Sequence, residues 1–149
     1  MAVEMTSTRE PLSICCDANM VVRFVTEPHA IAVHALWSKW HQTQTSVIAP
    51  SLLRFEVTNA IHRVARRDKQ SLSLARSILQ SALNVPIRFI DRTDIHVRAL
   101  VLSRELNLPA AHDAHYLALA ESERVELFTS DHRLYNSARH RFPWITLVE

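Results

Sequence analysis

The sequence of 149 residues contains no glycine. Turns with positive φ, which glycine adopts at no steric cost, are therefore expected to fall on Asn, Asp or His, or to be avoided. The same absence removes both common glycine-rich phosphate loops, the one ahead of a P-loop lysine and the one at a dinucleotide-binding βαβ turn. Only two cysteines occur. Cys15 and Cys16 are adjacent in an apolar run and poorly placed to bridge each other, which predicts reduced core residues of a cytosolic protein. No stretch approaches ~18 consecutive apolar residues, so neither a membrane span nor a secretory signal is expected, and a cytoplasmic location is. The formal net charge of +2 is too small to name a nucleic-acid partner by itself, although nine histidines add local charge where protonated.

Hydrophobic residues make up 48% and charged residues 21%, which excludes wholesale disorder. The length suits one domain able to bury roughly 68–70% of its unfolded surface. Residues 1–11, rich in Ser, Thr and charge, read as a flexible leader, and residues 12–149 as a single domain. Leu12 to Cys16 is apolar on both faces and predicts a buried parallel strand ending at Asp17. Val21 to Val25 continues apolar, and His29 to His41 has helical spacing through Ile31, Ala35, Leu36 and Trp40. Ser46 to Ala49 reads as a strand, and Pro50 with Ser51 starts the helix LLRFEVTNAIHRVARR. On that helix Leu53, Val57, Ala60, Ile61 and Val64 form the apolar stripe, and Glu56 lies on its edge. Arg63, Arg66, Arg67 and Lys69 complement the helix dipole at its end, a solvated basic terminus rather than an RNA contact.

Leu72 to Leu83 predicts a further helix, Pro86 to Ile90 a strand, and Thr93 the N-cap of a helix through Leu106. The stretch from Pro109 to Leu134 organises the rest. Ala114 to Ala120 is apolar around the whole helical projection, so the helix is buried, yet Asp113 stands in its first turn. About ten helical residues advance roughly 15 Å, and Val125 to Ser130, read as a strand, returns about as far. Asp113 and Asp131 should therefore meet at one end. After them come a short helix from Arg133 to Arg139 and a last strand from Trp144 to Val148. Strands alternating with helices predict an α/β domain on a largely parallel sheet.

Ligands of open parallel sheets sit beyond the carboxyl ends of the strands, where Asp17, Glu56, Asp113 and Asp131 are expected to gather. Two carboxylates 4 Å apart repel by on the order of 4 kcal/mol at an effective dielectric of 20, so such a cluster calls for a cation. Carboxylates without a Cys or His set suit a hard ion, Mg²⁺ or Mn²⁺, and phosphate chemistry. Thr129 and Ser130 offer hydroxyls that could orient a carboxylate or a water. Taken singly, each acid also reads as a helix cap or a surface charge.

The segments ICCDANMVVRFV, LLRFEVTNAI, AHDAHYLALAE and LFTSDHRL resemble, in order and spacing, the four acidic motifs of PIN-domain proteins, above all the VapC-type toxins of bacterial toxin–antitoxin pairs. The likeness runs from about Ser13 to the last strand. It implies a three-layer α/β/α sandwich, with Asp17, Glu56, Asp113 and Asp131 at the metal positions and Asn19 and Thr129 beside them. The implied activity is a Mg²⁺- or Mn²⁺-dependent endoribonuclease leaving 5′-phosphate and 3′-hydroxyl ends. A VapB-like antitoxin and a homodimer are the implied partners. A PIN-like binding module with weak or no cleavage, and an RNA-processing nuclease without an antitoxin, are the alternatives. Departures from the pattern are the lack of glycine in turns, the leader, and His112 and His115, which flank the third acid. Their three-residue spacing allows a bridging zinc, although His112 is favoured to cap or line the site and His115 to be a helix-surface or interface residue. Arg133 and Arg139 fit either an RNA backbone or plain surface charge. Leu52, Phe55, Leu72 and Leu79 are read as core in preference to a partner groove.

Overall fold

The computed structural model describes residues 12–149, so the proposed leader, residues 1–11, lies outside the described residues. The elements in chain order are β1 (Ser13–Cys16), α1 (Ala18–Thr26), α2 (Ile31–Gln42), β2 (Ser46–Ala49), α3 (Leu52–Arg67), α4 (Leu72–Leu83), β3 (Arg88–Phe89), α5 (Thr93–Glu105), α6 (His112–Glu123), β4 (Glu126–Thr129), α7 (His132–Ala138) and β5 (Ile145–Leu147). The five strands form one sheet in the order β3-β2-β1-β4-β5, and every pairing is parallel. The chain steps outward from β1 to β3 and then back across to β4 and β5. Right-handed crossovers therefore place α1 to α4 on one face and α5 to α7 on the other, a three-layer α/β/α sandwich. Packing agrees with this split, because α1 contacts α2, α3 and α4, and α5 lies along α6.

The reversal of strand order falls between β1 and β4. Their register sets Cys16 opposite Phe128, so the next residue, Asp17, stands level with Thr129 just beyond the strands. This is the switch-point crevice of an open α/β sheet. Cys15 and Cys16 are fully buried free thiols, and α6 is buried on nearly every side, with Ala114, Tyr116, Leu117, Ala118, Leu119 and Ala120 all in the core.

Positive φ occurs at Gln44, Lys69, Asn107 and Arg124, so only one of the four is of the type expected for a chain without glycine. The reason lies at helix ends. Each of these residues follows a helix, and the residue after it donates its N–H to a carbonyl five positions back: Thr45 to Trp40 (2.9 Å), Gln70 to Ala65 (2.9 Å), Leu108 to Ser103 (2.9 Å) and Val125 to Ala120 (3.0 Å). These are Schellman closures of α2, α3, α5 and α6, which satisfy orphan carbonyls and carry the left-handed residue's steric cost of roughly 1–2 kcal/mol.

Several expectations need correction. In α2 the buried residues are Val33, Trp37 and Trp40, while Ile31 is 82% exposed. Two apolar stripes compete on that helix, and the one carrying both indoles buries more area and wins. Phe55 and Leu72 are 73% and 76% exposed, so they belong to the surface of the α3–α4 hairpin rather than the core. Thr93 is the first helical residue, since Arg92 takes the N-cap position of α5 without a side-chain bond. The third strand contracts to Arg88–Phe89 at the sheet edge.

Candidate active site

Asp17 leaves β1 with extended backbone (φ −89°, ψ 175°), which makes it the N-cap of α1. One carboxylate oxygen accepts the Met20 N–H at 3.2 Å, and the other accepts the hydroxyl of Thr129 in a short hydrogen bond. Thr129 is completely buried at the end of β4, and its Oγ1 also accepts the backbone N–H of Asp131 at 2.9 Å. One hydroxyl thus fixes both the first acid and the turn carrying the last. Asp131 in turn caps α7, its Oδ1 accepting the N–H groups of Arg133 (2.8 Å) and Leu134 (3.3 Å). The capping role and a role in an acidic site are compatible, because only one of its oxygens is spent.

Asp113, in the first turn of α6, is half-buried and has no hydrogen-bond partner among the described residues. Glu56, on the half-sheltered edge of α3, accepts the Tyr116 hydroxyl at Oε1, 3.3 Å away. Sequence reasoning missed Tyr116 as a site residue; its ring reads as part of an all-apolar helix, and nothing local marks its hydroxyl.

The acids sense one another. Burial pushes the Asp17 carboxyl up to about 7, against the opposing hydrogen bonds from Thr129 and Met20, and the charges of Asp113 and Asp131 add to the rise. Burial likewise raises Glu56, with Asp113 acting in the same direction and the Tyr116 hydroxyl and His112 against it. Asp113 is raised by burial and by the charge of Asp131, while Arg133 and His112 oppose the shift. All four acids are therefore linked through Asp113.

The remaining residues divide. Asn19 is exposed in the first turn of α1. Ser130 does not turn its hydroxyl to the acids: it donates to the Val148 carbonyl at 2.9 Å and accepts from the Arg23 guanidinium at 2.8 Å, which ties the last strand to α1. Extended backbone sends successive side chains to opposite sides, so only one of Thr129 and Ser130 can face Asp17. Arg133 is 90% exposed, its Nε 3.8 Å from Asp131 Oδ1.

Among the described residues no three His, Cys, Asp or Glu side chains are gathered tightly enough, as they stand, to hold one ion. The donor set nevertheless suits a hard divalent cation: four carboxylates at one edge, one of them without a partner, and three held above their ordinary range by burial and like charge. A cation there would offset both the burial and the like charge that raise them.

The sequence profile of the family described as PIN domain matches residues 14–139. Three solved structures share the fold. PAE2754 from Pyrobaculum aerophilum has a TM-score of 0.62 at 22% identity, covering 86% of this chain and 87% of that one. A toxin–antitoxin complex from Klebsiella pneumoniae gives 0.60 at 19% identity, with coverage of 91% and 98%. VapBC2 from Rickettsia felis, bound to a DNA fragment from its promoter, gives 0.64 at 15% identity, with coverage of 91% and 97%. No curated protein matches the chain.

Proposed function

Because the chain belongs to the PIN-domain family, we propose that it is a divalent-metal-dependent endoribonuclease and the toxin of a toxin–antitoxin pair. The observation that carries this reading is the electrostatic linkage of Asp17, Glu56, Asp113 and Asp131 at the switch point of a parallel sheet. Those four side chains would hold Mg²⁺ or Mn²⁺, which when bound supplies a Lewis acid for water and for the phosphodiester oxygens.

The chain's own residues then have distinct tasks. Asp17, locked by the α1 cap and by Thr129, presents a fixed carboxylate at the floor of the crevice. Asp131 keeps one oxygen free beyond its cap, and Asp113 keeps both. Glu56 has its Oε1 engaged by Tyr116, so Oε2 is the oxygen left to meet the cation or to take a proton from its water. Arg133, exposed beside Asp131, would contact the phosphate backbone, and Asn19 is exposed two residues after Asp17 in the first turn of α1.

The Klebsiella neighbour is a toxin–antitoxin complex, which supports an antitoxin partner here. Exposed Leu72 lines a cleft between α3 and α4 of about 500 Å³, together with the apolar Ile61, Ala65 and Leu79 and the cations Arg66, Lys69 and Arg76. Such a groove suits an amphipathic partner helix with acidic flanks. A homodimer, expected from the family likeness, is the proposed assembly. No described helix is long and apolar enough to cross a membrane.

The direct test is incubation of end-labelled RNA with the purified chain and Mn²⁺, against a chelator control. Products with 5′-phosphate and 3′-hydroxyl ends are expected, and intact RNA at high enzyme would refute the catalytic reading. The acids' failure to close on one point as they stand favours one rival, a binding module without cleavage. Absence of Mn²⁺ binding in a calorimetric titration would select it.

A further inference from the structure

A second cluster, this one of histidines, lies where α5 meets the first turn of α6. His112 and His115 share a helix face, yet His115 meets His96 of α5 instead. Its Nε2 lies 3.0 Å from His96 Nδ1, with the rings nearly perpendicular at 70°. The other nitrogen of His115, Nδ1, lies 2.8 Å from the Ala111 carbonyl and 3.2 Å from that of His112. A carbonyl only accepts, so Nδ1 carries the hydrogen and Nε2 presents its lone pair to His96.

We propose that His96 and His115 form a binding site for a borderline transition-metal ion, Zn²⁺ being the type case, separate from the acid site. Two imidazole nitrogens about 2.0–2.1 Å from one tetrahedral ion stand about 3.4 Å apart, so the pair is within a few tenths of an ångström of ligating separation. Anchoring of the non-ligating N–H on a backbone carbonyl is the usual second-shell device that fixes a ligand histidine's tautomer and direction. Binding requires His96 to move its ring hydrogen from Nδ1 to Nε2, a change of tautomer with no net proton release. Imidazole ligands select such ions over Mg²⁺, which keeps the two sites chemically distinct.

Both rings line a cleft of about 320 Å³ that also contains His112 and Asp91. Asp91 has Oδ1 engaged by the backbone and hydroxyl of Ser51, so Oδ2 is available. Since no three such side chains converge as they stand, the ion would complete its shell with water and with whichever of His112 and Asp91 turns inward. Occupancy would tie α5 to the first turn of α6, the turn that carries Asp113. The inference rests on the histidine geometry and stands independently of the nuclease reading.

The test is calorimetric titration of the full chain with Zn²⁺ under excess Mg²⁺. One Zn²⁺ per chain is expected. His96→Ala and His115→Ala should each weaken binding at least ~10-fold, while His140→Ala, at an exposed histidine elsewhere, should leave it unchanged. Asp113→Asn should also leave it unchanged, which separates this site from the acids. His96→Gln supplies a second substitution, and circular dichroism checks that each variant is folded. Cu²⁺ electron paramagnetic resonance should show two coupled nitrogens in wild type and one in either alanine variant. Wild-type Zn²⁺ affinity in the His96 and His115 variants, or its loss in Asp113→Asn, would overturn the proposal.

Discussion

Replacing Asp17 by Asn in protein stripped of divalent ions should stabilise the fold, and the gain should depend on pH. The Asp17 carboxyl is raised from an ordinary 3.8 to about 7, chiefly by burial. A group with a raised folded pKa contributes stability that is fully present below its unfolded value and is lost as pH rises through its folded value. Wild type should therefore weaken between about pH 4 and pH 7 and level off above that. At about 1.4 kcal/mol per pH unit, the full loss is about 4 kcal/mol. Asparagine keeps the cap on the Met20 N–H, since its side-chain oxygen accepts in the same place. It loses the bond from Thr129, which costs about 1 kcal/mol. The net expectation is a variant about 3 kcal/mol more stable than wild type at about pH 8 and about 1 kcal/mol less stable near pH 4. Urea denaturation across that range, with chelator present, reads both numbers, and Mn²⁺ should then favour wild type. A difference that does not change with pH would refute the claim that Asp17 is held under electrostatic strain.

Other consequences can be read from the same contacts. Thr129→Val, nearly isosteric, removes the hydroxyl shared by Asp17 and Asp131, so chemical denaturation should show a loss of about 1–3 kcal/mol. A neutral result would mean that the shared bond is not made. Lys69→Gly and Arg124→Gly should each stabilise by up to about 1 kcal/mol in denaturant midpoint, because glycine takes the left-handed Schellman position without a Cβ clash. Destabilisation would contradict the assigned closures. Asp131→Asn should keep the α7 cap and Asp131→Ala should lose about 1 kcal/mol of it, whereas both should impair RNA cleavage. Retained cleavage in Asp131→Asn would reduce that acid to a cap.

Much of the architecture is legible in the chain, and the exceptions have physical causes. Ser46–Ala49, Leu52–Arg67 and Leu72–Leu83 fall on the structural boundaries: Pro50 and Ser51 mark one start, and the structure adds the Ser71 hydroxyl, which caps Leu74, at the other. The parallel sheet follows from the alternation of elements, whereas its order is not written there, and the length argument from Asp113 to Asp131 expects both at one edge. What the sequence conceals are contacts made across elements. The choice of stripe on α2, the partner of Ser130, the Tyr116 hydroxyl on Glu56 and the pairing of His96 with His115 each depend on which helix lies opposite. Left-handed Lys69 and Arg124 are equally hidden, since long charged side chains give no turn signal and the requirement comes from the helix end they follow.

The acids as the seat of metal-dependent RNA cleavage are tested most directly through Asp113, which neither caps a helix nor holds a neighbour among the described residues. Cleavage of one RNA by wild type and by Asp113→Asn should be compared at saturating Mn²⁺, with unfolding midpoints measured alongside. The account predicts loss of cleavage in a variant at least as stable as wild type without metal. Undiminished cleavage by folded Asp113→Asn would contradict it.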